Sequence, residues 1–358
     1  MKKMASKFLL LKVSILLSMM GTNVYAHDIA VENDDGVTIY YNFTGQNELE
    51  VTYGPSKYEG NVIIPEEFTF MDCKYKVTSI GKWAFSGCSN LISVNIPQSV
   101  TAIRKEAFKF STSLADVNLP NGLSVIEDGA FTTCVSLTSI TIPEGIHQIY
   151  NDTFGNCSSL KSVTIKGSLS RIGERAFGSC SSLSNINFGG TVEIIDFAAF
   201  YNCSSLISII LPEGLTTIER NAFQNSGLES LTLPSSLQKI KEQAFDCDNL
   251  NSIISNINEP FEIEGVSSEK RVFKYITYKK AILQVPVGTK NKYKDTVGWK
   301  DFDFIEESTP STIINIDSNK EIEKKRYTIE GRAINHPQQK GIHIIQMNDG
   351  TTKKVLVK

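Results

Sequence analysis

The chain repeats one apolar pattern about eight times between residues 77 and 254. Phenylalanine recurs every 23 residues, shortened once to 22, and a leucine and an isoleucine recur in step with it. Each unit contains the pattern L-x-x-I-x-I, usually followed by proline, which predicts one short strand. A unit of this size cannot bury its apolar face alone, so neighbouring units must stack with their strands parallel. The recurring phenylalanines are Phe85, Phe108, Phe131, Phe154, Phe177, Phe200, Phe223 and Phe245.

The residues two and four positions after each recurring leucine are predicted to point outward from these strands, because side chains alternate along a strand. They are short and mostly uncharged, and none is one of the Trp, Tyr or Arg anchors of tight interfaces. We interpret them as a candidate binding face on the concave side of the solenoid. An equally open alternative is that small polar residues simply suit a solvated sheet. The candidates are Ser93, Asn95, Asp116, Asn118, Ser139, Thr141, Ser162, Thr164, Asn185 and Asn187, with Ser208 and Ile210 next in line.

The unit C-x-x-L-x-x-I-x-I-P-x-x-I-x-x-I-x-x-x-A-F resembles the leucine-rich repeat of the BspA-like bacterial surface proteins. Residues 75–81 and 285–305 resemble that family's entry and closing cap, whereas Lys166 and Gly189 depart from it by replacing the strand-ending proline. The resemblance implies an α/β repeat solenoid, with mainly parallel β-structure on the concave face. It also implies a non-enzymatic adhesion protein that contacts host matrix or neighbouring-cell proteins. A structural surface scaffold without a specific ligand is the alternative.

Five of the seven cysteines occupy one repeat position, three residues after the phenylalanine. Stacked side chains in register run parallel instead of facing each other, so we expect buried free thiols in preference to disulfides. A catalytic thiol needs one singular, activated Cys beside a base, which a repeated position does not provide; the nearby His147 stands at a variable position. At the position three residues after the phenylalanine, the remaining units have Ser111, Ser226 and Asp248. The five are Cys88, Cys134, Cys157, Cys180 and Cys203.

The first 26 residues are predicted to be a secretory signal. A basic start is followed by an apolar run over residues 8–20 and by Val24-Tyr25-Ala26, a small-x-small cleavage site. That run is too short to cross a bilayer, although an uncleaved anchor is the alternative. The protein is therefore expected to be exported, at the cell surface or outside the cell, with the periplasm as the alternative.

The segments around the repeats are predicted to be caps and a separate module. Residues 27–76 are expected to form an N-terminal β cap containing a hairpin, and residues 255–307 a C-terminal cap with a short helix from Lys290 to Trp299. Residues 308–358 alternate like a small β domain. Its stretches at 327–332, 340–344 and 353–358 resemble the sorting domains of the type IX secretion route of Bacteroidetes, which implies passage across the outer membrane.

Charge and chemistry exclude several functions. Removing the four lysines of residues 1–26 leaves 36 − 4 = 32 basic against 39 acidic residues, a net charge of −7. Such a chain is a poor nucleic-acid binder. No two of the four histidines stand at metal-ligand spacing, so no metal or cofactor is predicted. An enzyme with its site in the caps is the remaining alternative, but neither cap supplies paired acids with a His or Cys.

Overall fold

The computed structural model describes residues 13–14, 27–267, 269–308, 323–328, 341–347 and 352–357. Contacts between residues divide the chain into two units, residues 1–309 and residues 310–358. In the first unit, parallel strands stack into a solenoid of about ten turns. The predicted repeat solenoid is confirmed, and its helical content is small.

One wall of the solenoid, here called the long-strand face, carries one strand per turn. Its strands pair in parallel at the same register, so that Thr141 lies beside Thr164 and Thr164 beside Asn187. Alternate residues such as Ile140 and Ile142 point inward and are buried. The face comprises Gly60–Ile63, Leu91–Asn95, Asp116–Asn118, Ser139–Ile142, Ser162–Ile165, Asn185–Phe188, Ser208–Ile210, Ser230–Leu233, Ser252–Ser255, Ile282–Val285 and Phe304–Glu307, in three hydrogen-bonded groups.

A second wall, the short-strand face, is formed by the recurring isoleucine and its neighbours. Most of these strands have only two residues, because the chain turns again before and after the buried isoleucine. They also pair in parallel with the strands of neighbouring units, in two ladders that are separated between Val125–Ile126 and Gln148–Ile149. They are Ala102–Ile103, Val125–Ile126, Gln148–Ile149, Leu169–Ile172, Val192–Ile195, Thr217–Ile218 and Lys239–Ile240, preceded by the longer Cys73–Ile80.

The third wall consists of turns around the recurring phenylalanine and is called here the turn face. The eight predicted rings and a ninth, Phe273, form one buried column with neighbouring centroids 4.9 to 5.6 Å apart and planes within 13°. The backbone N–H of each ring residue donates to the carbonyl of the residue before the next ring, at 2.7 to 3.0 Å. The stack and these hydrogen bonds hold consecutive turns in register.

Each of these turns places one residue in the left-handed conformation two positions before the phenylalanine, and all but the turn at Phe245 place a second one two positions after it. This conformation costs a side-chain-bearing residue about 1–2 kcal/mol, yet most of these positions are not glycine. The stacked hydrogen bonds of the turn face stabilise it in every unit. The earlier row is Trp83, Glu106, Gly129, Asp152, Arg175, Ala198, Asn221 and Gln243; the later row is Gly87, Phe110, Thr133, Asn156, Ser179, Asn202 and Asn225.

The N-terminal end of the solenoid is covered by antiparallel strands. The predicted hairpin is confirmed as Thr38–Gly45 paired with Glu48–Thr52, and Ile29–Glu32 pairs with its outer side. Glu48–Thr52 then pairs in parallel with Cys73–Ile80, which also binds Glu67–Phe70. The hairpin thereby occupies the first edge of the short-strand face. Of residues 1–26, the structure describes only Val13–Ser14, which pair with Ile29–Glu32.

The C-terminal end of the first unit contains two short α-helices, Tyr275–Lys280 and Lys290–Asp295, and a 3₁₀ turn at Trp299–Asp301. The helix expected from Lys290 to Trp299 is shorter than predicted, because the backbone becomes extended at Thr296. The second unit contains Glu323–Thr328, Gly341–Met347 and Thr352–Val357 as an antiparallel sheet, in agreement with the predicted β module. The sequence Asn348-Asp349-Gly350 predicts a turn between the last two strands, and these residues lie outside the described part of the chain.

Candidate functional site

The ten predicted site residues all lie on the long-strand face, and each is exposed or half-buried. They form two outward rows, here called the polar rows, that cross the strands in register, with Ser93 beside Asp116 and Ser139 beside Ser162. Neighbours within a row are about 4.8 Å apart, and the two rows are separated by about 7 Å along each strand. The structure therefore brings the ten candidates together as one extended polar surface.

The sequence analysis missed the two ends of this surface. Gly60–Ile63 pairs with Leu91–Asn95, and Ile282–Val285 and Phe304–Glu307 continue the ladder beyond residue 254. A signal was present, because Val62-Ile63-Ile64-Pro65 and Leu283-Gln284-Val285-Pro286 both follow the strand-ending pattern I-x-I-P with another aliphatic residue at one or both of the isoleucine positions. The face is therefore longer than the regular repeats.

The C-terminal end of the long-strand face differs in chemistry from the polar rows. Ile282 lies beside Phe304 in the register, and their exposed fractions are 41% and 51%. Ile210 is 53% exposed, and Ile254 lies two strands further along the same row. We call these four residues the apolar end. They supply the large apolar side chains that the polar rows lack.

The five cysteines at the repeat position are buried free thiols that form a ladder, as predicted, whereas Cys73 is exposed. Each thiol from Cys134 onward donates to the carbonyl oxygen of the phenylalanine one unit earlier; for Cys134 this is Phe108, at 3.2 Å. The prediction that Asp248 occupies this position in the last unit is wrong. The shortened unit brings Cys247 onto the ladder instead, where it donates to the Phe223 carbonyl at 3.1 Å, and Asp248 is exposed. Together with Cys88, six cysteines therefore belong to this ladder.

The ladder thiols are unsuited to nucleophilic chemistry. Burial raises the pKa of Cys157, Cys203 and Cys247 to about 12, and it raises the pKa of Cys134 and Cys180 well above the usual thiol range. The thiolate, which is the reactive form, is therefore suppressed at neutral pH. His147 is exposed on the short-strand side.

The charged side chains that come together elsewhere are paired with one another. A shallow, open depression of about 470 Å³ is lined by Phe197 and by five charged residues. Within it, Arg220 binds Glu242 at 3.2 Å and Lys241 binds Glu219 at 2.6 Å. Within the described residues, no three His, Cys, Asp or Glu side chains are grouped to hold a metal ion. In that same part of the chain, no helix is long and apolar enough to span a membrane.

Comparison with solved structures finds further leucine-rich repeat proteins. One from T. pallidum is 28% identical, with a TM-score of 0.46 over 53% of this chain and 87% of that one. One from Bacteroides ovatus is 22% identical, with a TM-score of 0.43 over 75% of each chain. A leucine-rich cell surface protein from Faecalibacterium prausnitzii is 18% identical, with a TM-score of 0.34 over 75% of this chain and 97% of that one. None of the curated proteins matches the chain.

The family is shown by a sequence match. The BspA-type leucine-rich repeat region matches residues 65–184 and 170–282, in six copies, which is more than half of the 358 residues. This match indicates no enzymatic family, and a leucine-rich repeat solenoid is typically a non-enzymatic scaffold for protein interaction. The chain therefore belongs to the BspA-type leucine-rich repeat family, and it is a repeat protein of the binding or surface type.

Proposed function

We propose that this protein is an adhesion protein of the cell surface, which holds an extended host or neighbouring-cell protein along the long-strand face. The observation that carries the proposal is the continuity of the polar rows. Ten small, solvent-accessible side chains lie on five consecutive turns, in register within the ladder of the first two strands and within the ladder of the next three, and the apolar end lies on the same wall. An extended wall of this kind is the surface that solenoid proteins use for partners.

The two parts of the face contribute differently to binding. Contacts to Ser, Thr and Asn are individually weak, because each replaces a hydrogen bond to water. Ile282 and Phe304 can remove apolar area from water, which is the larger contribution. The polar rows then determine which partner fits, and the apolar end supplies most of the affinity. Many copies on one cell raise the total strength by multivalency.

Export and surface display are part of the proposal. The features of residues 1–26 support cleavage of a secretory signal, and the likeness of residues 308–358 to a sorting domain supports transport to the cell surface. The strands of the long-strand face, from Gly60–Ile63 to Phe304–Glu307, lie between these two segments in the sequence.

The test replaces Asn118, Thr141 and Thr164 together by Glu. Negative charge in the middle of the polar rows should weaken adhesion to immobilised matrix protein at least tenfold, because a partner would have to desolvate three carboxylates. Circular dichroism checks that the variant is folded. The matched control places the same three charges on the short-strand side, at Thr101, Ser124 and Ser170, where another unit already carries Glu193.

Each outcome decides between the readings. Loss of adhesion in the first variant but not in the control supports the long-strand face. Unchanged adhesion by both variants would indicate that the partner binds to another wall or to the caps. Absence of adhesion by the parent protein favours a structural scaffold without a specific ligand.

A further inference from the structure

Two exposed aromatic side chains interrupt the left-handed rows of the turn face. Trp83 has φ 63° in the earlier row, and Phe110 has φ 62° in the later row. A bulky residue is a genuine outlier in this conformation. The other units place Gly, Asn, Asp, Ser, Thr, Ala, Arg, Glu or Gln there, so the fold does not require an aromatic ring. Trp83 is 43% exposed and Phe110 49% exposed.

The two rings belong to one connected cluster. The indole N–H of Trp83 donates to Glu106 at 2.6 Å, and the ammonium of Lys109 binds the other oxygen of Glu106 at 2.9 Å. The same ammonium lies 5.4 Å from the centroid of the Phe110 ring. Lys82 lies 4.0 Å over the Trp83 ring. Glu106 and Lys109 therefore join the rings into one surface, here called the aromatic–lysine cluster.

The cluster carries excess positive charge within a negatively charged chain. Lys57, which donates to the carbonyl of Ser86, and Lys105 add two further exposed ammonium groups. The neighbouring carboxylates are already engaged: Glu106 by Lys109 and Trp83, Glu127 by Arg104 at 3.0 Å, and Glu59 by Asn90 at 3.4 Å. Residues 27–76, which precede the repeats, contain ten acidic residues and three lysines. The positive charge of the cluster therefore contrasts with the negative charge of the neighbouring N-terminal segment.

We propose that the aromatic–lysine cluster binds an acidic protein segment that also carries an apolar side chain. The lysines would pair with its carboxylates, and the apolar side chain would lie against Trp83 and Phe110. Trp is among the residues that carry most of the binding energy in protein interfaces. Ammonium groups over the rings favour carboxylate contacts over the stacking of bases. The net charge, −3 for the full chain and −7 without residues 1–26, disfavours long polyanions such as nucleic acid or sulfated glycans.

The experiment uses a phage-displayed library of random peptides about 12 residues long, selected on the full chain. We expect enrichment of sequences that combine Asp or Glu with aromatic or large aliphatic residues. Synthetic copies of the enriched peptides should bind at least tenfold more weakly to the double variant Trp83→Asn, Phe110→Asn. Their affinity should also fall as salt is raised, because charged contacts are screened.

The matched control is Thr133→Asn with Ala198→Asn, which changes the same two left-handed rows outside the cluster. It should leave peptide binding within about twofold of the parent. The melting temperature of the aromatic double variant should stay within about 4 °C of the parent, because Asn adopts the left-handed conformation readily and half of each ring is exposed. A much larger loss of stability would show that the rings are structural and would overturn the proposal.

Three other results would also overturn it. The library could yield no peptides whose binding depends on the ring pair, or it could yield peptides without acidic residues. Heparin or oligodeoxythymidylate could instead bind in a manner that depends on the ring pair, which would identify another class of partner. This site lies on the turn face, so the Asn118, Thr141, Thr164 variant should bind the peptides normally. A failure of the proposal for the aromatic–lysine cluster is therefore distinguishable from a failure of the proposal for the long-strand face.

Discussion

The phenylalanine column and the polar rows occupy the same turns with the same period, yet they differ in what each position tolerates. Every ring of the column is fully buried, and the residue at that position does not change from Phe85 to Phe245. The polar rows contain Ser, Asp, Asn and Thr at equivalent positions, and the next turn places Ile210 there. A ring must match the rings above and below it, whereas an outward side chain meets mainly solvent. Interior packing therefore fixes the repeat, and the exposed rows are free to acquire binding chemistry.

The largest expected effect concerns the register of the repeat. Deleting residues 131–153 removes one whole unit and joins Ala130 to Phe154, which restores the Ala-Phe pair of the turn face. We expect this protein to fold with only a modest loss of stability, because each unit contacts mainly its neighbours. Deleting residues 137–147 removes a strand and half a turn, and should abolish cooperative unfolding. Thermal denaturation followed by circular dichroism measures both; equal stability of the two deletions would contradict the repeat register.

A single ring should contribute a smaller but still large effect. Phe154→Ala should lower the free energy of unfolding by about 3–5 kcal/mol, because it leaves a cavity between Phe131 and Phe177. Thr164→Ala, on the polar rows, should change it by less than about 0.5 kcal/mol. Urea denaturation gives both values. Similar losses for the two variants would remove the distinction between the column and the polar rows.

The smallest effect concerns the cysteine ladder at alkaline pH. Burial raises the thiol pKa of Cys157 and Cys203 from 9.0 to about 12 in the folded state, so the folded protein holds these protons longer than the unfolded chain. The contribution of the protonated thiols to the free energy of unfolding is fully present below about pH 9 and is lost as the pH rises toward 12. At pH 10 each thiol should account for a loss of about 1 kcal/mol.

Replacing both thiols by Ser isolates their contribution. Ser111 already takes a ladder position and donates to the Phe85 carbonyl at 2.7 Å, so serine fits there. The variant should lose less stability than the parent between pH 8 and pH 10, as measured by urea denaturation. Ionisation of the buried tyrosines also lowers stability as the pH rises, but these tyrosines are present in both the parent and the variant. Parallel pH profiles would contradict the assignment, as would disulfides between ladder cysteines in the parent.

The periodicity of the sequence predicted the solenoid and the outward rows because every unit repeats the same local interactions. The repeat pattern no longer predicted the equivalent residues where the spacing between units changed. Phe273 follows Phe245 by 28 residues, and the residues between them carry no second copy of the leucine pattern. Cys247 was missed for the same reason, since a unit shortened by one residue moves the ladder position. A fixed period cannot locate residues in units of irregular length.

The aromatic–lysine cluster was beyond the reach of the repeat pattern for a different reason. Trp83 and Phe110 stand in different rows of different units, and only the stacking of turns brings them to the same Glu106 and Lys109 pair. The apolar end likewise depends on pairing between strands separated by long insertions. Chemistry of this kind arises from contacts between units, which a description of one unit does not contain.

The phenylalanine column also determines how the molecule would respond to mechanical tension. Both ends of the column are closed by rings that cross the stack: Tyr58 meets Phe85 at 41°, and Tyr278 meets Phe273 at 90°. Between these closures, every turn is joined to the next by the same ring stacking and the same backbone hydrogen bond of the turn face. A pulling force would therefore have to displace a closing ring first, after which the turns would open one at a time at similar force. A tether built in this way lengthens in steps and dissipates load without breaking as a whole.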